Sequence, residues 1–88
     1  MKIKKGFIVR KIGGQNVAVA VGEASKAFNG MIKLNETGKF LWDLLAKGAE
    51  LEELVANVLE EYEVDEATAR ADVEKFVGNL KEVGALES

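Results

Sequence analysis

From residue 3 to residue 34 apolar and polar positions alternate with a period of two between turn signals, and from Asn35 onward they recur every three to four residues between helix caps. Strands come first and helices follow, an order that predicts an α+β fold. The first strand is expected at Phe7 to Ile12, and Gly13-Gly14-Gln15-Asn16 supplies residues suited to a tight return. Val17 to Val21 runs back with valine on one face and alanine on the other, so the two form a hairpin. The connection Gly22 to Gly30 ends in the turn dipeptide Asn29-Gly30 and opens into a short strand, Met31 to Leu34. Alternation there places Ile32 and Leu34 on one side and Met31 and Lys33 on the other.

Asn35 is expected to cap the first helix, whose apolar residues Phe40, Leu41, Leu44 and Leu45 share a face up to a stop at Gly48. Trp42 lies off the centre of that stripe and is expected at the rim of the core. The second helix carries Leu51, Leu54, Val55, Val58, Leu59 and Tyr62 on one stripe, with Glu50, Glu52 and Glu53 at the end where the helix dipole favours negative charge. Asp65 caps a third helix with the stripe Ala69, Val73, Phe76, Val77, Leu80 and Val83, and Gly84 follows as its C-terminal glycine. The order is β-β-β-α-α-α, that of a winged helix-turn-helix-like fold with a three-stranded antiparallel sheet, and residues 1–88 are expected to form one domain.

Composition removes most chemistry. The 88 residues contain no Cys and no His, which leaves no thiolate, no imidazole base and none of the usual nitrogen or sulfur ligands for zinc. Carboxylates, lysines and Tyr62 remain, and so small a chain rarely encloses the concave pocket that a carboxylate-pair enzyme needs. No cofactor and no catalytic residue are expected. The longest apolar run, Val17 to Val21, is five residues, far too short to span a bilayer, and the N-terminal residues have no signal-peptide pattern. The expectation is a cytoplasmic protein with no membrane partner. Gly13-Gly14 and Thr37-Gly38-Lys39 lack the spacing of a phosphate-binding loop.

Charge is unevenly divided. Residues 1–34 hold seven basic residues and one acid, Glu23, a balance of +6, whereas residues 35–88 hold five basic residues against 14 acids, a balance of −9. A winged helix that reads DNA places its third helix in the major groove. Here the segment from Asp65 to Ser88 carries Arg70, Lys75 and Lys81 against six acids, and phosphates would repel it. Nucleic acid binding is therefore the alternative reading and not the main one. The short strand Met31 to Leu34 bears more directly on function. An edge strand presents unpaired N–H and C=O groups, and only its shortness and Lys33 guard this one. An extended peptide can add there as a further strand, with alternate side chains entering the groove between strand and helix. Self-association through the same edge, as a structural subunit, is the other alternative.

Several stretches together resemble one family. They are Phe28-Asn29-Gly30-Met31-Ile32-Lys33-Leu34-Asn35-Glu36-Thr37-Gly38, the following Leu41-Trp42-Asp43-Leu44-Leu45, Glu60-Glu61-Tyr62-Glu63-Val64-Asp65, and Asp72-Val73-Glu74-Lys75-Phe76 through Leu80 and Gly84, with Arg10 in the first strand. Over nearly its whole length the chain resembles the PqqD-like family, the small winged-helix-like domains known as RiPP recognition elements. The resemblance implies a peptide chaperone that binds the leader segment of a ribosomally made precursor and presents it to a modifying enzyme, often a radical SAM enzyme. It implies binding positions at Met31, Ile32, Lys33 and Leu34 on the strand and at Asp72, Val73 and Phe76 on the last helix. Asn35 and Thr37-Gly38 also match, and are read here as cap and helix start.

The missing ligand side chains give a first prediction. Elemental analysis of the purified protein should find no stoichiometric transition metal, and one zinc per chain would overturn the reading.

Overall fold

The computed structural model describes residues 1–22, 24–27 and 30–87, with side chains left aside at Ala24 and Ala27. The element order is β1 (Lys2–Ile3), β2 (Phe7–Ile12), β3 (Gln15–Ala20), α1 (Ala24–Ala27), β4 (Met31–Leu34), α2 (Glu36–Lys47), α3 (Leu51–Glu61), α4 (Glu66–Glu82) and β5 (Leu86–Glu87). Strands β2, β3 and β4 form an antiparallel sheet in that order, and the three long helices follow it, as the periodicity predicts. Asn29, and with it the expected Asn29-Gly30 turn, lies outside the described residues, as do Glu23 and Phe28.

The hairpin is tighter than the sequence reading has it. Gly13 and Gly14 alone make the turn, with φ of 58° and 79°, and Gln15 and Asn16 already belong to β3. Two successive positive φ angles twist the chain in the sense that paired strands require, and glycine adopts them without a steric penalty. Register then sorts the side chains. Phe7 pairs with Ala20, Val9 with Ala18 and Ala18 with Ile32, so these residues and Leu34 share one face. That face is the inner one, because Ala18 and Leu34 are in the core and Phe7, Val9 and Ile32 pack against it.

Three elements escape the sequence reading. The connection after β3 contains the short α1, where Gly22 turns the chain at φ 62° and Ser25 bonds back to the Gly22 carbonyl through its N–H at 3.1 Å and its hydroxyl at 2.6 Å. Strands β1 and β5 pair as a separate two-stranded sheet, Ile3 opposite Leu86, and the Lys4 N–H donates to the Ala85 carbonyl at 2.8 Å. All three are too short to show a period. The β1–β5 clasp places Ile3, Ala85 and Leu86 in the core.

The helices begin and end where the caps predict. Asn35 Oδ1 accepts the Gly38 N–H and Asp65 Oδ1 the Thr68 N–H, each at 2.7 Å, and Gly48 ends α2 at φ 102°. Trp42 departs from its expected place at the rim, being only 3% exposed. The sheet covers that flank of α2, and the Phe7 ring meets the indole edge-on at 6.0 Å. Leu59 and Val83, expected on buried stripes, are 37% and 38% exposed because the apolar stripes of α3 and α4 are wider than the surfaces they meet. Arg70 of α4 grips Glu52 of α3 with two bonds, 2.6 and 2.9 Å, and lies 3.4 Å from Glu66.

The Arg70 bonds hold the Glu52 carboxyl below its ordinary value, and the Thr68 N–H does the same for Asp65. A carboxyl depressed in the folded state contributes stability above its unfolded value and loses it as pH falls through its folded value. Thermal melts should therefore drop in acid below the ordinary carboxylate range, and Glu52→Gln should flatten that drop slightly, by the small amount the ion pair adds near neutral pH. Near neutral pH the same variant should melt almost as the parent does, since an exposed ion pair adds little. Trp42→Ala should cost about 3–5 kcal/mol in a denaturant titration, where a rim residue would cost far less.

Candidate functional site

Hydrogen bonds along the ladder determine which edge groups of β4 are open. The Val21 N–H donates to the Gly6 carbonyl at 2.6 Å, one step beyond the Phe7–Ala20 pair. In an antiparallel ladder hydrogen-bonded pairs alternate with pairs that are not, so Ile8–Val19, Arg10–Val17 and Ile12–Gln15 are the bonded pairs of the hairpin. The groups of Val17 and Val19 thus point toward β2, and those of Asn16 and Ala18 point toward β4. Their partners Leu34 and Ile32 bond inward, which leaves the N–H and C=O of Met31 and Lys33 directed at the open side of the sheet.

Side chains at this edge divide the same way. Ile32 is half-buried and Leu34 is 2% exposed on the helix side, whereas Met31 and Lys33 stand exposed on the outer side. Lys33 shares a cross-strand row with Val17 and Arg10. Neither cation makes an ion pair among the described residues, so positive charge collects beside the edge.

At the C-terminal end of β4 a cavity of about 300 Å³ opens between α2 and α4, lined by Asn35, Thr37, Leu41, Asp72, Lys75, Phe76 and Asn79. Gly38 makes this junction close. A Cβ built on it would stand 3.3 Å from the Phe76 ring and 3.1 Å from Asn35 Oδ1, so any larger residue would press the ring and the cap apart by a few tenths of an ångström. Leu41 and Phe76 are apolar, and Asn35, Thr37, Asp72, Lys75 and Asn79 supply the polar part of the lining. A larger hollow of about 380 Å³ is lined by Met1, Lys2, Gly48, Ala49, Glu50, Glu53 and Glu87. None of these belongs to β4 or α4, so it offers no strand edge.

The structure brings Asp72 and Phe76 together on the cavity wall, near the strand that carries Met31, Ile32 and Lys33. Val73 and Leu34, expected at the site, are 0% and 2% exposed, so their side chains belong to the core. Sequence reasoning misses Lys75 and Asn79. With Asp72 and Phe76 they form one face of α4 at spacings of three, four and seven, and walking that helix outward from Asp72 finds them. Among the described residues no group of three or more His, Cys, Asp or Glu could hold a metal ion, and no helix is long and apolar enough to cross a membrane.

Similar proteins agree with this architecture. The structure of TbiB1 in complex with the TbiA(beta) leader peptide superposes with a TM-score of 0.79 at 27% identity, covering 100% of this chain and 96% of that one. A lasso peptide synthetase B1 complexed with the leader peptide superposes with a TM-score of 0.76 at 21% identity, covering 99% and 96%, a likeness that concerns the fold alone. No curated protein matches the chain. The model of the family described as coenzyme PQQ synthesis protein D matches residues 8–86, and the chain belongs to that family, PqqD.

Proposed function

We propose that this chain is a peptide-binding adaptor that captures the leader segment of a ribosomally made precursor by adding it as a strand to β4. The observation that carries the reading is the pair of open backbone positions, Met31 and Lys33, beside a groove that Phe76 walls. Membership of PqqD and a neighbour of 27% identity bound to a leader peptide support it. The incoming segment exchanges bonds with Met31 and Lys33. Its residue opposite Ile32 turns toward the helices, where the half-buried Phe76 ring favours a hydrophobic side chain. Its residues opposite Met31 and Lys33 lie on the outer side next to the Lys33 ammonium, which favours acidic ones.

The chain performs no reaction itself. It has no His and no Cys, and the polar groups around the cavity form no nucleophile–base pair. A separate modifying enzyme acts on the rest of the precursor, and the family resemblance points to a radical SAM enzyme in that role. The handover belongs in the cytoplasm, where ribosomal products are released.

Two proline variants test strand addition. Proline lacks the N–H, so Lys33→Pro deletes an outward donor, while Ile32→Pro deletes a bond to β3. Calorimetric titration with a leader peptide that the parent chain binds should show Lys33→Pro weakened by about 1–3 kcal/mol, roughly ten- to a hundredfold, with an unchanged circular dichroism spectrum. Ile32→Pro should lose stability. If Lys33→Pro remains folded and binds as tightly as the parent, β4 is not the docking edge.

Charge makes a separate kinetic prediction. Salt screens exposed charges over about 8–10 Å, so raising it should slow association while dissociation, governed by apolar contacts, changes little. Stopped-flow traces should show Lys33→Glu slowed in association at low salt and close to the parent at high salt.

A further inference from the structure

The cavity at the end of β4 is lined by polar side chains that the chain itself does not use. Asp72, Lys75 and Asn79 stand exposed along one face of α4, and the half-buried Thr37 borders the same space from the first turn of α2. Asp72 and Lys75 are three residues apart, a spacing that sets Cβ atoms about 5–6 Å from each other and lets acid and base pair. Among the described residues no ion pair joins them, and neither they nor Asn79 and Thr37 make a side-chain hydrogen bond. One carboxylate and one ammonium thus border the cavity, both unengaged, with no net charge between them.

Resting on the strand-addition reading, we infer that this cavity takes an asparagine or glutamine side chain of the leader, and that Asp72 and Lys75 determine that choice. Register supplies the position. With β4 open at Met31 and Lys33, the leader residues opposite Ile32 and Leu34 both turn inward. The first meets the Phe76 ring. The second lies two residues further along, beside the end of β4, where Asn35 begins the cavity lining.

Charge selects the chemistry at that second position. A leader carboxylate would be drawn by Lys75 and repelled by Asp72, and a leader ammonium would meet the reverse, so for either the two effects oppose. An apolar side chain would cover both charges and strip their hydration without return. A carboxamide satisfies both walls at once, its NH2 donating to the Asp72 carboxylate and its carbonyl accepting from the Lys75 ammonium. Thr37 and Asn79 each carry a donor and an acceptor and can complete its remaining bonds. The space of about 300 Å³ accommodates a side chain of this size.

A positional scan tests the assignment. A leader peptide that the parent chain binds is made with each residue replaced in turn by glutamine, leucine, glutamate and lysine, and every peptide is titrated calorimetrically. One position, two residues from one that requires an apolar side chain, should favour glutamine over leucine by about tenfold, the effect of hydrogen bonds to charged groups. Charge reversal should then change the preference at that position and nowhere else. Asp72→Lys leaves two cations on the wall and should make glutamate the best residue there. Lys75→Glu leaves two anions and should make lysine the best. Both residues are exposed, so circular dichroism should show both variants folded. Leucine preferred at that position by the parent overturns the proposal, as do folded variants whose preferences match the parent's throughout the scan. Titration of Lys33→Pro keeps the two readings apart. Peptides that bind this variant as tightly as the parent defeat strand addition, whereas weakened binding to it with no change of preference in the charge variants defeats the cavity assignment alone.

Discussion

The pairing of β4 with β3 is the interaction on which the rest depends. Only four residues long, β4 is held in register by Asn16 opposite Leu34 and Ala18 opposite Ile32. That register decides three things together. It sends Leu34 into the core, it turns the N–H and C=O of Met31 and Lys33 to the open side, and it aligns Lys33 with Arg10 across the sheet. A slip of one residue would bury Lys33, expose Leu34 and turn the backbone groups of Ile32 and Leu34 outward in place of those of Met31 and Lys33. Burial of Leu34 makes that slip costly, so the same apolar contact that stabilises the fold also aims the edge.

Beside the edge, the groove depends on how closely two helices approach. Gly38 permits the first turn of α2 to meet Phe76, and the Asn35 cap fixes where that turn begins, immediately after Leu34. Strand, cap and groove wall thus occupy successive positions of one short segment, 31–38. Val73 and Leu80 anchor α4 from below at 0% and 1% exposure, and its opposite side presents Asp72, Lys75, Phe76 and Asn79 to the cavity. The site is rigid in its support and open in its lining, as suits recognition of an extended segment.

Electrostatics adds direction. Arg10 and Lys33 stand in one cross-strand row on the outer face, Lys33 at the docking edge, and the helical half carries most of the acids, several of them engaged in caps and in the Arg70 link between α3 and α4. An acidic third helix is poorly suited to lie along phosphates, whereas a basic edge draws in acidic peptide chains.

By itself the sequence determined the order of strands and helices, the caps at Asn35 and Asp65, the glycine stop at Gly48 and the split of β4 into Ile32 and Leu34 against Met31 and Lys33. These are local: periodicity, capping and alternation depend on residues a few positions apart. Only the tertiary structure decided which alternate face is buried, that Trp42 lies within the core under Phe7, and that Val73 supports the groove without lining it. Each of these depends on which element covers which, a relation between residues distant in the chain. The β1–β5 clasp belongs to the same class, since two-residue strands are specified by their partners and not by a pattern of their own. The outward aim of the Met31 and Lys33 backbone groups is the clearest case, because it follows from the phase of hydrogen bonding in a ladder that begins at the Gly13-Gly14 turn and reaches β4 only through β3.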